Sequence, residues 1–241
     1  GNVLWGKDLV PYASHLQLLG VLPDGGFLVS IKTDPYTLMR LDANGNIVSQ
    51  KIIISQYIFN GYISSILLVN NDVLTAYRSA NNKIMFLRTD VDGNVIWQSP
   101  PFPGLGTVGT DDGSQMVALS DGGFALLGSS NNQPRVFRFD GLGNLTSQTA
   151  DNVFPTTIVP SSLAITTDGR YMVSGVTFTN RGFVAQLNAA ADAIEWSAES
   201  PEDGQEHLVG LRAIPTSDGW AAGVGKSTGD KFGFMKVGVN S

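Results

Sequence analysis

The sequence predicts an all-β fold, a five-bladed β-propeller of four-stranded antiparallel blades, from three markers that recur at one period. The first marker is a turn followed by an apolar residue. It appears as Asp24–Gly25–Gly26–Phe27, Asn70–Asn71–Asp72–Val73, Asp121–Gly122–Gly123–Phe124, Asp168–Gly169–Arg170–Tyr171 and Asp218–Gly219–Trp220. The apolar residues are 46, 51, 47 and 49 positions apart. From Trp220 through the end of the chain and on from its start to Phe27 is again 48 positions. The second marker is Arg40, Arg88, Arg138, Gln186 and Lys236, spaced 48, 50, 48 and 50, with Asp42, Asp90, Asp140, Asn188 and Gly238 two residues later. The third is a Gly–Asn turn at Gly45–Asn46, Gly93–Asn94, Gly143–Asn144 and Gly1–Asn2. The fourth unit has Ala191–Asp192–Ala193 in its place.

Each unit holds four strand-sized runs, which in the second unit are Ser64–Val69, Val73–Tyr77, Ile84–Thr89 and Val95–Gln98. The Asn, Asp and Gly residues between them tolerate positive φ and so permit tight hairpins. Four antiparallel strands in about 48 residues make one propeller blade. Mixed apolar runs, in place of strict alternation, suit strands packed on both faces. Ala189–Ala190–Ala191 is read as a degenerate hairpin turn because the period demands one there. The segments from one unit to the next differ most: Ile52–Gly61, Pro100–Gly113, Thr149–Pro160 and Ala198–Glu206. Variable loops of this kind are where binding function is carried.

The ends of the chain complete each other. Gly1–Asn2–Val3–Leu4–Trp5 repeats the phrase Gly93–Asn94–Val95–Ile96–Trp97, but nothing strand-like precedes it. The missing run is Phe232–Val237. Residues 2–9 are therefore expected to form the outermost strand of the fifth blade and to close the ring, in one domain spanning 1–241. Beginning inside a motif is also the expectation for a chain trimmed of a leader or lipid anchor.

Composition narrows the function. The net charge of −6 and the absence of any basic run argue against nucleic acid as a partner. No cysteine is present, which excludes disulfides and thiol chemistry. No run of about 18 apolar residues is available to span a bilayer as a helix. Apolar residues make up 42%, enough for a packed core.

The phrases Asp24–Gly25–Gly26–Phe27 and Gly93–Asn94–Val95–Ile96–Trp97, with Thr89–Asp90 just before the second, resemble the repeats of bacterial secreted and surface-lipoprotein β-propellers of the Bacteroidetes type. The resemblance runs unit by unit along the whole chain. The first and third units depart from it, with Ser49 and Ser147 where others have Trp. It implies an exported protein, periplasmic or at the outer surface, with lipid anchoring as one route. The matching residues are turns and core, so it implies architecture and no particular activity.

Trp5, Trp97 and Trp196 share one repeat position and suit blade packing better than sugar stacking. Arg40, Arg88, Arg138 and Lys236 suit salt bridges and stem packing over neighbouring strands better than a ring for an anion. Asp42–Asn46 and Asp90–Asn94 resemble the start of a calcium loop but lack the distant bidentate Glu, so they read as hairpin turns. His15 and His207 fall near the start of inner strands in the first and fifth units. A zinc site would need a third ligand such as Glu206, and no close-spaced His pair supports it. Asp111, Asp112, Glu202, Asp203 and Glu206 lie in loops leading to inner strands, where five-bladed glycosidases gather carboxylates. The inner runs Leu18–Leu22, Ser64–Val69, Met116–Ser120, Ser161–Thr167 and Leu208–Ile214 hold no Asp or Glu, which counts against that chemistry. No Gly-x-Ser-x-Gly elbow appears, and Gly223–Ser227 lacks the first Gly of a phosphate loop.

The expectation is thus a monomeric, non-enzymatic binding or scaffold module that needs no cofactor or metal and engages a protein or glycan through loops on one face. The candidate ligand-binding residues are His15, Tyr62, Asp111, Asp112, Glu206 and His207. The alternatives are a carbohydrate-binding lectin and a glycoside hydrolase with a central acidic funnel.

Overall fold

The computed structural model describes residues 16–32, 35–54, 63–78, 83–102, 116–130, 133–154, 158–166, 168–177 and 181–199, together with the strand backbones of 209–215, 221–226 and 232–237. The chain divides into two compact units, Gly1–Phe102 and Pro103–Ser241. Every sheet described is an antiparallel meander.

The first unit carries two four-stranded sheets. One runs β1 (Leu16–Val21), β2 (Phe27–Ile31), β3 (Tyr36–Leu41) and β4 (Ile47–Ile54). The other runs β5 (Ile63–Leu67), β6 (Val73–Arg78), β7 (Ile84–Thr89) and β8 (Val95–Gln98). Successive side chains of a strand point to opposite faces, and here both faces are covered. Leu28 and Leu38 join Leu22 and Val73 in a cluster completed by Leu19, Ile53, Leu67 and Val91. Val29, Ile31, Met39 and Leu41 form a second cluster with Phe27. This explains why the inner pairs of strands read as continuous apolar runs. The flanking strands β1 and β4 keep many side chains exposed. A polar group is also buried between the sheets. The Tyr36 hydroxyl hydrogen-bonds the Ser65 hydroxyl and lies 3.5 Å from Thr75 Oγ1, while Ser65 and Thr75 are 3.0 Å apart.

The second unit holds β9 (Met116–Ala118), β10 (Phe124–Ser130), β11 (Gln133–Phe139) and β12 (Leu145–Gln148) in one sheet. A second sheet holds β13 (Ile158–Ile165), β14 (Tyr171–Thr177), β15 (Gly182–Leu187) and β16 (Ile194–Glu199). A third holds β17 (Val209–Pro215), β18 (Ala221–Lys226) and β19 (Phe232–Val237). Leu119, Ala125, Leu127 and Val136 of the first sheet pack with Leu163, Tyr171, Val173 and Phe183 of the second. Met172 and Val184 face the other way and pack with Trp196. β17 runs beside β13 and β14. β13 starts at Ile158, inside the segment expected to be a linker. Pro160, which has no N–H to give a ladder, is accommodated by a register shift before Ser162.

Among the described residues four sheets have four strands and the last has three. The strand expected to complete it, residues 2–9, lies outside the described residues.

The repeated turns explain their own sequence. In Asp-Gly-Gly-Phe the first Gly takes a left-handed φ, 80° at Gly25 and 84° at Gly122. The Asp accepts the N–H of the second Gly, Asp24 from Gly26 and Asp121 from Gly123, both at 2.9 Å. A Cβ at Gly123 would lie 2.3 Å from the Phe139 carbonyl oxygen, so the second Gly lets the turn press against the third strand.

Among the described residues no helix is long and apolar enough to cross a membrane.

Candidate functional site

The third strands β3, β7 and β11 carry the side chains that shape the site. Arg40, Arg88 and Arg138 reach back over the turn between the first and second strands. Each pairs with an aspartate there: Arg40 with Asp24 at 2.7 Å, Arg88 with Asp72 at 2.7 Å and Arg138 with Asp121 at 2.6 Å. The fourth four-stranded sheet replaces the arginine with Gln186, whose Nε2 donates to Glu195 at 2.8 Å, while Arg170 meets Glu195 at 3.2 Å. For Arg40, Arg88 and Arg138 the expected salt bridges are what the geometry gives, and the Lys236 side chain lies outside the described residues.

The residue facing each of these side chains on the fourth strand differs. Arg88 is paired across the ladder with Trp97 and Gln186 with Trp196. Arg40 faces Ser49, and Arg138 faces Ser147. An indole can lie over its neighbour where a serine cannot. The Arg88 side chain is accordingly 16% exposed, Arg40 25% and Arg138 37%. Beside Arg138 an open cavity of about 340 Å³ is lined by Asp121, Asp140, Gly141, Thr146 and Ser147. Trp196 packs on Met172, as expected for a blade-packing indole.

Both carboxylates at the cavity are already engaged. Asp121 accepts the Gly123 N–H and pairs with Arg138, and these contacts hold its carboxyl below the ordinary 3.8. Asp140 accepts the Asn144 side-chain N–H, the Asn144 backbone N–H and the Leu142 N–H, each at 2.9 Å. Its carboxyl is likewise lowered, with the Asn144 side chain as the largest cause. Asp42 and Asp90 hold their turns the same way, so the calcium-like spacing is a hairpin device. At neutral pH the cavity therefore offers two carboxylates, one guanidinium and two hydroxyls. Acid–base hydrolysis of a glycosidic bond needs one carboxyl with a raised pKa, and these two are pushed the other way. The arrangement suits binding of a polar ligand.

The six sequence candidates, His15, Tyr62, Asp111, Asp112, Glu206 and His207, lie outside the described residues. The sequence reads Arg138 as a salt-bridge residue, which it is, and so does not point to the cavity. The available signal was Ser147 at a tryptophan position. Among the described residues no three His, Asp or Glu side chains gather as metal ligands.

No protein-family model matches the chain, and no curated protein matches it by sequence. Among solved structures it is similar to a protein of unknown function from Bacteroides caccae. The identity there is 13% and the TM-score 0.56, over 90% of this chain and 73% of that one. It is also similar to the Dos1 propeller, at 12% identity and a TM-score of 0.53, over 83% of this chain and 50% of that one. The chain thus spans half the length of that propeller protein. Likeness at this identity speaks to fold alone, and the fold is all-β and propeller-like.

Proposed function

We propose that the chain is a non-enzymatic binding module, a propeller that holds a protein or glycan partner in the periplasm or at the surface of a bacterium. The observation that carries this reading is the open cavity at Arg138, whose donors and acceptors are set for recognition while both its carboxylates are ionised. The resemblance of the repeats to exported propellers supports the location. A screen of sugars and of surface-protein extracts against the whole chain, reading binding and product release together, tests it. Binding without turnover is the expected result. Turnover abolished by substitution of Asp111 or Glu206 would replace the module with a hydrolase.

The same reading takes the molecule as one five-bladed ring, with residues 2–9 adding the fourth strand to β17–β19. Its support is the repeated Gly–Asn–Val phrase at the start of the chain, beside a last sheet of three strands among the described residues. Removing residues 1–9 would expose a sheet edge and delete Trp5, whose burial contributes about 2–3 kcal/mol. The truncated chain should melt well below the full one, and equal melting would dispose of the closure.

A further inference from the structure

We infer that the cavity on β11 and β12 takes a ligand carboxylate, clamped between the Arg138 guanidinium and the Ser147 hydroxyl. This rests on the binding reading above and names the chemistry of the group bound.

The warrant is an internal precedent. Arg40 and Ser49 are cross-strand partners on β3 and β4, as Arg138 and Ser147 are on β11 and β12. In the first sheet, Arg40 Nη2 holds Asp24 of its own sheet at 2.7 Å. Arg40 Nη1 holds a second carboxylate, Asp92, at 3.3 Å, and Ser49 Oγ donates to the same Asp92 oxygen at 3.3 Å. Asp92 comes from the β7–β8 turn of the adjoining sheet. Arginine and serine in this register therefore form a two-point carboxylate clamp.

In the second unit the corresponding turn lies between β15 and β16. Its Ala191 is buried in the cluster that joins this sheet to Leu119, Ala125, Leu127 and Val136, and has a φ of 60°, where Gly93 has 79°. The Ala191 N–H bonds the Asn188 carbonyl at 2.9 Å, as the Gly93 N–H bonds that of Asp90 at 3.0 Å. This equivalence sets Ala190 at the place of Asp92, and a methyl cannot accept from a guanidinium. Arg138 Nη2 is held by Asp121, just as Arg40 Nη2 is by Asp24. Arg138 Nη1 and Ser147 Oγ are then the counterparts of the atoms that hold Asp92.

The nearby anions do not forbid this. Asp24 pairs with Arg40 as Asp121 pairs with Arg138, and Asp92 docks at Arg40 regardless. Their presence does make a lone carboxylate a weak, salt-sensitive ligand, so the group is expected on a larger molecule.

The test uses the whole chain, titrated with N-acetylglutamate and with glucuronate while NMR follows Arg138 and Ser147. N-acetylglutamine and glucose serve as neutral controls. Saturable shifts with an acid and none with its neutral analogue are expected. Ala190→Asp supplies the internal carboxylate and Ser147→Trp supplies the indole of the other sheets. Each should weaken binding about tenfold or more while melting as the parent does. Asp92→Ala should open a second carboxylate site at Arg40 and Ser49. Binding of the glutamate derivative alone points to an acidic peptide, and of glucuronate alone to an acidic sugar. The inference fails if neither acid binds, if the neutral analogues bind as well, or if Ala190→Asp changes nothing. Binding of a neutral ligand that Ser147→Trp blocks would sink the carboxylate clamp and leave the binding module standing.

Discussion

Replacing Asp140 with alanine isolates what one repeated turn contributes. The side chain accepts three hydrogen bonds of 2.9 Å, from the Leu142 N–H, the Asn144 N–H and the Asn144 amide. A comparable side-chain cap at a helix start contributes about 0.5–2 kcal/mol. Bonds to a charged acceptor would raise that figure, but the turn faces solvent, which screens it, so about 1–2 kcal/mol is the expected loss. For a chain of this size that is a fall in melting temperature of about 2–8 °C. The pH dependence adds a second readout. The native carboxyl titrates below its ordinary 3.8, so the unfolded chain takes up a proton first. The contribution is complete above that value and disappears as pH falls through the lower native one. Wild type and Asp140→Ala should therefore differ at neutral pH and converge in acid. Melting curves across pH, with amide exchange at Asn144, measure both. An unchanged melting temperature at neutral pH, or a gap that persists undiminished in acid, would refute the account.

Two other predictions concern packing. Gly123→Ala places a Cβ 2.3 Å from a backbone oxygen that cannot move aside, whereas a Cβ at Gly122 meets nothing within 4 Å. Urea titration should show a loss of at least about 2 kcal/mol for the first and about 1 kcal/mol for the second, whose φ of 84° alone is unfavourable. Trp196→Ala removes the indole from Met172 and Val184 and should cost about 2–3 kcal/mol by the same measurement, with a smaller loss arguing that the indole is not a packing residue.

The repeating frame was legible because its turns are chemically strict. Gly25, Gly93 and Gly143 sit at left-handed φ, and Asp42, Asp90 and Asp140 hold the same two amides, so spacing alone located the hairpins. Even the fourth unit, without the Gly–Asn pair, keeps the turn: Ala191 takes a φ of 60° and Asn188 accepts the Asp192 N–H at 3.1 Å. The start of β13 was not legible, since Pro160 argues against a strand and only a bulge reconciles it. The cavity was hidden for a different reason. Its residues are the structural ones of every repeat, and what distinguishes it is a combination across two sheets, Ser147 with Ala190. Periodicity finds what repeats in one unit, and a pairing between neighbours leaves no mark on it.

That combination also leaves the anchoring of the third strand intact. The four residues of β12 are all exposed, unlike those of β10 and β11, where the apolar side chains carry the core. Exchanging an indole for a serine on such an edge strand gives up packing on one side and leaves the ladder and its turn intact. Exchanging Asp92 for an alanine on the adjoining turn gives up one half-exposed ion pair, which contributes at most about 1 kcal/mol. Neither change touches the Arg–Asp pair that anchors the third strand, so the guanidinium stays oriented after its covers are gone. A binding site that is a structural pair with its lid removed arrives preorganised, and that lowers the ordering cost a ligand would otherwise meet.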